Sequence, residues 1–172
     1  TAFAEVWRTN QYEETDLQVS DVLTNQKLPG GKKPSLLIEP DTLLTDQHDR
    51  IGWYHHNVKS VGPALLAGVQ GLTGFEQLDP LLHRTFGAVI TADKGQRLDD
   101  RRLRSSSGKS HRFSVYVLTQ HPATPEAWLV EMDKTIRRTE AKNFATRWRA
   151  HDDWWAEFWQ RSWIRASVNT NA

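Results

Sequence analysis

The consecutive residues Trp53, Tyr54, His55, His56 and Asn57 are the side chains in this sequence best suited to binding chemistry. Aromatic rings stack on the C–H faces of sugars, and imidazole and amide groups hydrogen-bond hydroxyls. In a β-strand, side chains alternate between faces, so Trp53, His55 and Asn57 would share one face. The pattern therefore admits a sugar-contacting strand. A half-buried strand with hydrogen-bonded histidines explains it equally simply, and we favour that interpretation.

The same alternation argues against metal binding and catalysis here. His55 and His56 would point to opposite faces, so they are not expected to bind one metal, which we rank below sugar contact. Cysteine is absent, which excludes thiolate ligands and nucleophiles. An inverting glycosidase needs two carboxyl groups about 6.5–9.5 Å apart, and the adjacent acids Glu13-Glu14, Asp99-Asp100 and Asp152-Asp153 diverge. We predict no catalytic residue, no metal and no cofactor.

The polar segment from 93 to 112 contains two further motifs. Arginines are crowded between Arg97 and Arg112, but aspartates interleave with them and no aromatic residue is present to stack on bases. The serines at 105–107 lack the nucleophile-elbow pattern of a serine hydrolase. We predict a solvated hairpin that binds no nucleic acid.

Tryptophan is concentrated near the end of the sequence. Five of the chain's eight tryptophans are Trp148, Trp154, Trp155, Trp159 and Trp163. Trp148, His151, Trp155 and Phe158 follow one another in steps of three and four residues, which is one face of an α-helix, and Trp154 and Trp159 widen it. Since a buried aromatic side chain removes about 150–250 Å² from water, this face needs a large partner surface. The residues predicted to pack at that interface are Trp148, His151, Trp154, Trp155, Phe158 and Trp159.

The predicted secondary structure that positions these residues changes from strands to helices at Thr124. Alternating segments before it predict antiparallel strands at 15–19, 35–39, 51–58, 84–91 and 111–119, a short helix near 64–71 and the hairpin at 93–110. Both faces of the strand at 111–119 are expected to be at least partly covered.

Thr124 and Pro125 then provide a capping hydroxyl and a proline at the first helical position. A helix of about four turns follows, with Leu129, Met132 and Ile136 buried and Asp133 paired with Arg137. The second helix begins after a bend at 142–143, and Glu157 and Arg161 are placed for an ion pair on its polar side.

These elements predict an α+β fold, in which an antiparallel β-sandwich, complete or partial, is followed by two α-helices packed on it. The β-sandwich would occupy residues 1–122 and the helical linker 123–172, as one structural unit, because 172 residues suit about one domain. A net charge of +1 creates no strong positive electrostatic field of the kind that attracts nucleic acid. No apolar run is long enough to span a membrane.

Three motifs are similar to a known family: Asp79-Pro80-Leu81-Leu82-His83-Arg84-Thr85-Phe86-Gly87-Ala88, Val117-Leu118-Thr119-Gln120-His121-Pro122 and His151-x-x-Trp154-Trp155-x-x-Phe158-Trp159-x-x-Ser162. They resemble the N-terminal β-sandwich and helical linker of bacterial glycoside hydrolases related to the inverting α-L-fucosidases. In that family an (α/α)6 barrel follows the linker and carries the catalytic acid and base. The resemblance implies a non-catalytic accessory and linker domain whose partner is the barrel of the same polypeptide, in the periplasm or outside the cell.

Two other functions remain open: a self-standing carbohydrate-binding module and a small complete enzyme. A linker domain predicts a large exposed apolar patch where the barrel would sit. A binding module predicts an exposed aromatic pair over a groove. A complete enzyme predicts a closed pocket with convergent carboxylates.

Overall fold

The structure is a computed structural model that describes residues 1–14, 36–59, 63, 67–68, 70–72, 74–75 and 79–164. Among these residues the chain forms nine strands and two helices with defined bounds, and residues 63 and 67–68 are also helical. The strands are β1 (Phe3–Glu5), β2 (Tyr12–Glu14), β3 (Leu36–Ile38), β4 (Thr42–Leu43), β5 (Arg50–His56), β6 (Thr85–Ala92), β7 (Gln96–Arg97), β8 (Arg102–Arg104) and β9 (Phe113–Gln120). The helices are α1 (Pro125–Glu140) and α2 (Phe144–Arg161).

The central sheet is antiparallel, with the strand order β4-β5-β6-β9. Its two middle strands approach closely at Gly87, which is directly opposite Tyr54. A Cβ atom at Gly87 would overlap the carbonyl oxygen of Trp53 and lie 2.7 Å from the Cα atom of Tyr54. Only glycine fits this position, because two backbones cannot share the space with a side chain.

A second antiparallel sheet has the order β1-β8-β7, and β2 pairs with β3 in a third. One apolar cluster joins the first two sheets: Ile51 and Ile90 come from the central sheet, Leu103 from β8, and Val6 from the segment after β1. Burying side chains from two sheets in one core is how a β-sandwich is held together. The antiparallel sheets and two helices confirm the predicted α+β class.

On the opposite face of the central sheet, α1 buries Trp128 and Met132. The Trp128 ring lies 5.9 Å from that of Tyr54 in β5. Of the predicted stripe, Met132 and Ile136 are buried, which confirms that part of the prediction. The prediction for Leu129 was wrong: Trp128 is buried and Leu129 is only half-buried. Sequence spacing alone left the rotation of the helix open by one residue, and the larger side chain took the core position.

The predicted ion pair of Asp133 with Arg137 was also wrong, because Asp133 pairs with Arg50. Asp133 Oδ1 accepts a hydrogen bond of 2.9 Å from Arg50 Nη2 at the start of β5. The strand thus supplies the cation that the helix was expected to supply.

The strands predicted at 51–58, 84–91 and 111–119 are confirmed as β5, β6 and β9, the one at 35–39 is seen as β3, and the hairpin at 93–110 is formed by β7 and β8. The strand predicted at 15–19 and most of the helix predicted at 64–71 lie outside the described residues. The prediction that both faces of β9 are at least partly covered holds only in part. Tyr116 is buried on one face, and on the other Phe113 packs against the apolar cluster while Val115 and Val117 are exposed. Val115 is opposite Ile90, but the cluster that buries Ile90 does not extend to Val115 or Val117.

The chain divides into two compact units, residues 1–133 and 134–172, and the predicted boundary at 122 stays a prediction. In the second unit α1 ends at Glu140 and α2 begins at Phe144, which confirms the bend at 142–143. Asn143 caps α2, since its Oδ1 atom accepts a 2.9 Å hydrogen bond from the Thr146 amide. No helix among the described residues is long and apolar enough to cross a membrane.

Candidate functional site

The three residues predicted to contact sugar, Trp53, His55 and Asn57, have different surroundings. Trp53 is half-buried and packs against the apolar cluster between the two sheets. Asn57 follows the end of β5, and its Nδ2 atom donates a 3.1 Å hydrogen bond to the Leu81 carbonyl oxygen. Much of the Trp53 ring and the Asn57 amide is therefore engaged within the chain. Their role in sugar contact stays a prediction.

His55 lies beside an ion pair. Arg8 Nε donates a 2.9 Å hydrogen bond to Asp41 Oδ1, and His55 Nδ1 is 3.4 Å from the same oxygen. The Asp41 side chain is only 7% exposed. Burial is the main cause that lowers the pKa of His55, and the positive charge of Arg8 adds to it, while Asp41 opposes both. The lowered pKa favours a neutral imidazole, and the Asp41 carboxylate is already paired.

His56 points to the opposite face, as alternation predicted. Its Nδ1 atom is 2.8 Å from Thr85 Oγ1, and that hydroxyl donates a 2.6 Å hydrogen bond to the Ala123 carbonyl oxygen. Because a hydroxyl has one hydrogen, Thr85 must accept from His56, which places a proton on Nδ1. The favoured interpretation of hydrogen-bonded histidines thus accounts for His56.

Within the described residues, no group of three or more His, Cys, Asp or Glu side chains is arranged to hold a metal ion. The stacked rings of His56 and His83 have centroids 6.3 Å apart, and His56 uses Nδ1 for Thr85. These two histidines therefore contact each other through their stacked rings.

The aromatic residues of α2 form a continuous ladder along one side of the helix. Ring centroids are 5.9 Å apart for Phe144 and Trp148 and for Trp148 and His151, then 6.1 Å apart for His151 and Trp155 and for Trp155 and Trp159. We call these five residues, Phe144, Trp148, His151, Trp155 and Trp159, the aromatic ladder.

The aromatic ladder is open to solvent. Trp148, Trp155 and Trp159 are 56%, 39% and 61% exposed, and no residue of α2 is buried. The helix confirms the predicted spacing. The packing role of Trp148, His151, Trp154, Trp155, Phe158 and Trp159 stays a prediction.

On the polar side of α2, Arg161 contacts the backbone of Glu157 and not its side chain as predicted. Arg161 Nε donates a 3.3 Å hydrogen bond to the backbone carbonyl oxygen of Glu157. The guanidinium thus binds a carbonyl near the end of the helix, where the helix dipole favours a positive charge.

The sequence pointed to His55 but not to its partners. Arg8 and Asp41 are 33 residues apart and belong to no recognisable motif. The only signal was that Arg8 and Asp41 are charged, and this signal is weak because a fourth of the residues in this sequence are charged. The cluster could be found only once β4 and β5 were paired.

Residues 1–164 match the sequence profile of a family labelled DUF5703_N, which is described as "Domain of unknown function (DUF5703)". No curated protein and no solved structure matches the chain significantly.

Proposed function

Because this chain belongs to the DUF5703_N family, whose description names no activity, we propose its function from its own surfaces. It is a non-catalytic accessory and linker domain of a bacterial glycoside hydrolase, located in the periplasm or outside the cell. Its partner is an (α/α)6 catalytic barrel in the same polypeptide. The aromatic ladder of α2 is the observation that carries this proposal.

The ladder has the properties of a docking surface. Soluble proteins rarely expose large contiguous apolar patches unless these bind something. Covering a further 100 Å² or so of one indole contributes about 2–3 kcal/mol, so three half-exposed tryptophans supply a substantial docking energy.

The ladder is also already ordered. Its rings contact each other at helical spacing, with Trp155 and Trp159 nearly parallel at 22°. Side chains held by their neighbours lose less entropy on binding. A straight ridge of this kind fits the groove of another helix, and helices form the whole of an (α/α)6 barrel.

The polar groups of the first unit support a non-catalytic role. A glycosidase needs two carboxyl groups on either side of the scissile bond. Asp41, the carboxylate beside His55, is held by Arg8 and is 7% exposed. It is poorly placed to receive a substrate.

A self-standing carbohydrate-binding module fits the ring geometry less well. Such a module presents open ring faces to sugars. In α2 the rings of Trp154 and Phe158 stack on each other, 5.6 Å apart with 15° between their planes. Trp154 and Trp155 meet edge to face at 4.8 Å.

The test uses the complete polypeptide encoded by the gene. Replacing Trp148 and Trp159 together by alanine removes two rungs of the ladder. The matched control replaces Asp153 and Gln160, which lie on the opposite side of α2. We expect the tryptophan variant to lower the thermal unfolding temperature of the barrel and its hydrolysis of α-L-fucosides and related glycosides, and the control to change neither.

Three results would contradict the proposal. The gene could encode no helical catalytic domain after this chain, or the tryptophan variant could behave as the control does. The third is a saturable change in tryptophan fluorescence with millimolar oligosaccharide that Trp53→Ala abolishes, which would favour the binding module.

A further inference from the structure

A small polar pocket opens between the turn that follows β6 and the segment that leads into β9. It encloses about 210 Å³. Three hydroxyls, two cationic side chains and an imidazole line it: Ser105, Ser106, Ser110, Lys94, Arg112 and His111. Every one of these groups can donate a hydrogen bond.

Ser105 is a lining residue that is held in place by hydrogen bonds to Ala2. It is buried, and its Oγ atom accepts a 3.0 Å hydrogen bond from the Ala2 amide, while its own amide donates at 3.0 Å to the Ala2 carbonyl oxygen. These bonds hold Ser105 in place, and its hydroxyl then positions the next group in the pocket.

That group is His111, whose Nδ1 atom is 2.8 Å from Ser105 Oγ. The serine hydroxyl donates a 3.2 Å hydrogen bond to the Ser106 carbonyl oxygen. Because a hydroxyl has one hydrogen, Ser105 accepts from His111, which places a proton on Nδ1. Nε2, on the far side of the ring, therefore accepts a hydrogen bond when His111 is neutral and donates one when the imidazole is protonated.

No sequence motif indicated this pairing, because the serines lack a nucleophile-elbow pattern. The arrangement differs from a hydrolytic triad in that the Ser105 hydroxyl is bound to the Ala2 amide and is buried. It is suited to positioning the imidazole rather than to attacking a substrate.

The charge of the lining is positive. Asp93 is the one carboxylate among the lining residues, and its Oδ2 atom lies 3.6 Å from Arg112 Nη1. Its charge is thus partly balanced by Arg112, and Lys94 remains in excess. Anions bind where cationic donors converge, and charge-assisted hydrogen bonds are about twice as strong as neutral ones.

Lys94 has an unusual backbone. Its φ angle is 52°, in the left-handed region that non-glycine residues rarely adopt, and Gly95 N–H closes the turn by donating to the Ala92 carbonyl oxygen at 2.9 Å. Such conformations concentrate at ligand sites. The turn puts a lysine in the pocket wall at a position that glycine or asparagine would fill more easily.

We propose that this pocket binds one small oxyanion, a carboxylate or sulfate group. Its volume is below the roughly 300–1,000 Å³ of sites for drug-sized ligands, so it accommodates a single group and not an oligosaccharide. An acidic or sulfated sugar residue carries such a group, and so does free sulfate. The site is independent of the aromatic ladder and of the linker function.

The test is calorimetric titration of the purified protein with sodium sulfate and with sodium glucuronate at constant ionic strength, with glucose as the neutral counterpart. Lys94→Asn removes the excess cation and suits the left-handed turn. Lys109→Asn is the control, because it makes the same charge change in the same segment outside the pocket lining. We expect saturable binding of one or both anions, about tenfold weaker in Lys94→Asn and unchanged in Lys109→Asn.

The two anions distinguish the source of the ligand. Tighter binding of glucuronate supports a sugar carboxylate, and equal or tighter binding of sulfate supports an isolated or ester-linked sulfate group. The absence of saturable binding of both anions at millimolar concentration would overturn the proposal. Equal weakening by the two lysine substitutions, or equal binding of glucose, would overturn it too.

Discussion

The indole Nε1–H of Trp128 donates a 3.0 Å hydrogen bond to the backbone carbonyl oxygen of Leu118. This bond ties α1 to β9, the last strand of the central sheet. Trp128 is fully buried, so an unpaired indole N–H there would be costly. One side chain thus supplies both the apolar contact and the polar link between helix and sheet.

Replacing Trp128 by a smaller residue should therefore destabilise the fold, and the loss should be larger for alanine than for phenylalanine. Trp128→Phe keeps an aromatic ring but loses the donor, and we expect a loss of about 1–3 kcal/mol in the free energy of unfolding. Trp128→Ala also leaves a cavity and should cost about 3–5 kcal/mol. Urea unfolding measures both. Val130→Ala, at an exposed position of the same helix, is the control, and equal midpoints for all three variants would refute this role.

Gly87→Ala should prevent β5 and β6 from pairing normally. The added Cβ atom would lie 2.7 Å from the Cα atom of Tyr54, which neither strand can avoid without moving. We expect a loss of several kcal/mol, seen as a lower thermal unfolding temperature or loss of soluble protein. Gly68→Ala is the matched control, because among the described residues beyond its own stretch of helix no atom lies within 4 Å of its added Cβ. Similar behaviour of the two variants would contradict the close approach.

Stability should fall in mild acid partly because of His55. Burial and Arg8 lower the pKa of His55 below 6.5, so the unfolded chain binds a proton at a pH where the folded chain does not. The stabilising contribution is complete above that ordinary value and decreases as the pH falls below it toward the lowered pKa.

Thermal unfolding at about pH 7.5 and about pH 5 measures this effect. We expect His55→Gln to show a smaller loss between the two conditions than the unchanged protein. His48→Gln, which replaces an exposed histidine, is the control. A loss as large in His55→Gln as in the unchanged protein would exclude His55 as a source.

The ion pairs Arg50–Asp133 and Arg8–Asp41 of the first unit should contribute unequally to stability. Asp133 and Arg50 are 44% and 24% exposed at their side chains, so Asp133→Asn should cost below about 1 kcal/mol. Asp41 is 7% exposed, and Asp41→Asn would leave Arg8 without its charge partner, at a cost of up to about 3 kcal/mol. Urea unfolding of both variants gives the comparison. A larger cost for Asp133→Asn would reverse the expected dependence on burial.

The sequence by itself determined the elements whose signals are local. Alternation predicted β5, β6 and β9, and it placed His55 and His56 on opposite faces. Thr124 and Pro125 marked the start of α1, and the spacing of tryptophans gave the aromatic side of α2. These inferences succeed because side-chain direction follows from backbone dihedral angles within a few residues.

Only the tertiary structure decided which residues meet across the chain. The Ala2 amide reaches Ser105 over a separation of 103 residues, and Arg8 reaches Asp41 over 33. The burial of Trp128 in place of Leu129 and the exposure of Val115 and Val117 on β9 depend equally on what packs nearby. Such contacts are set by strand register and by competition for the core, and no short-range pattern encodes either.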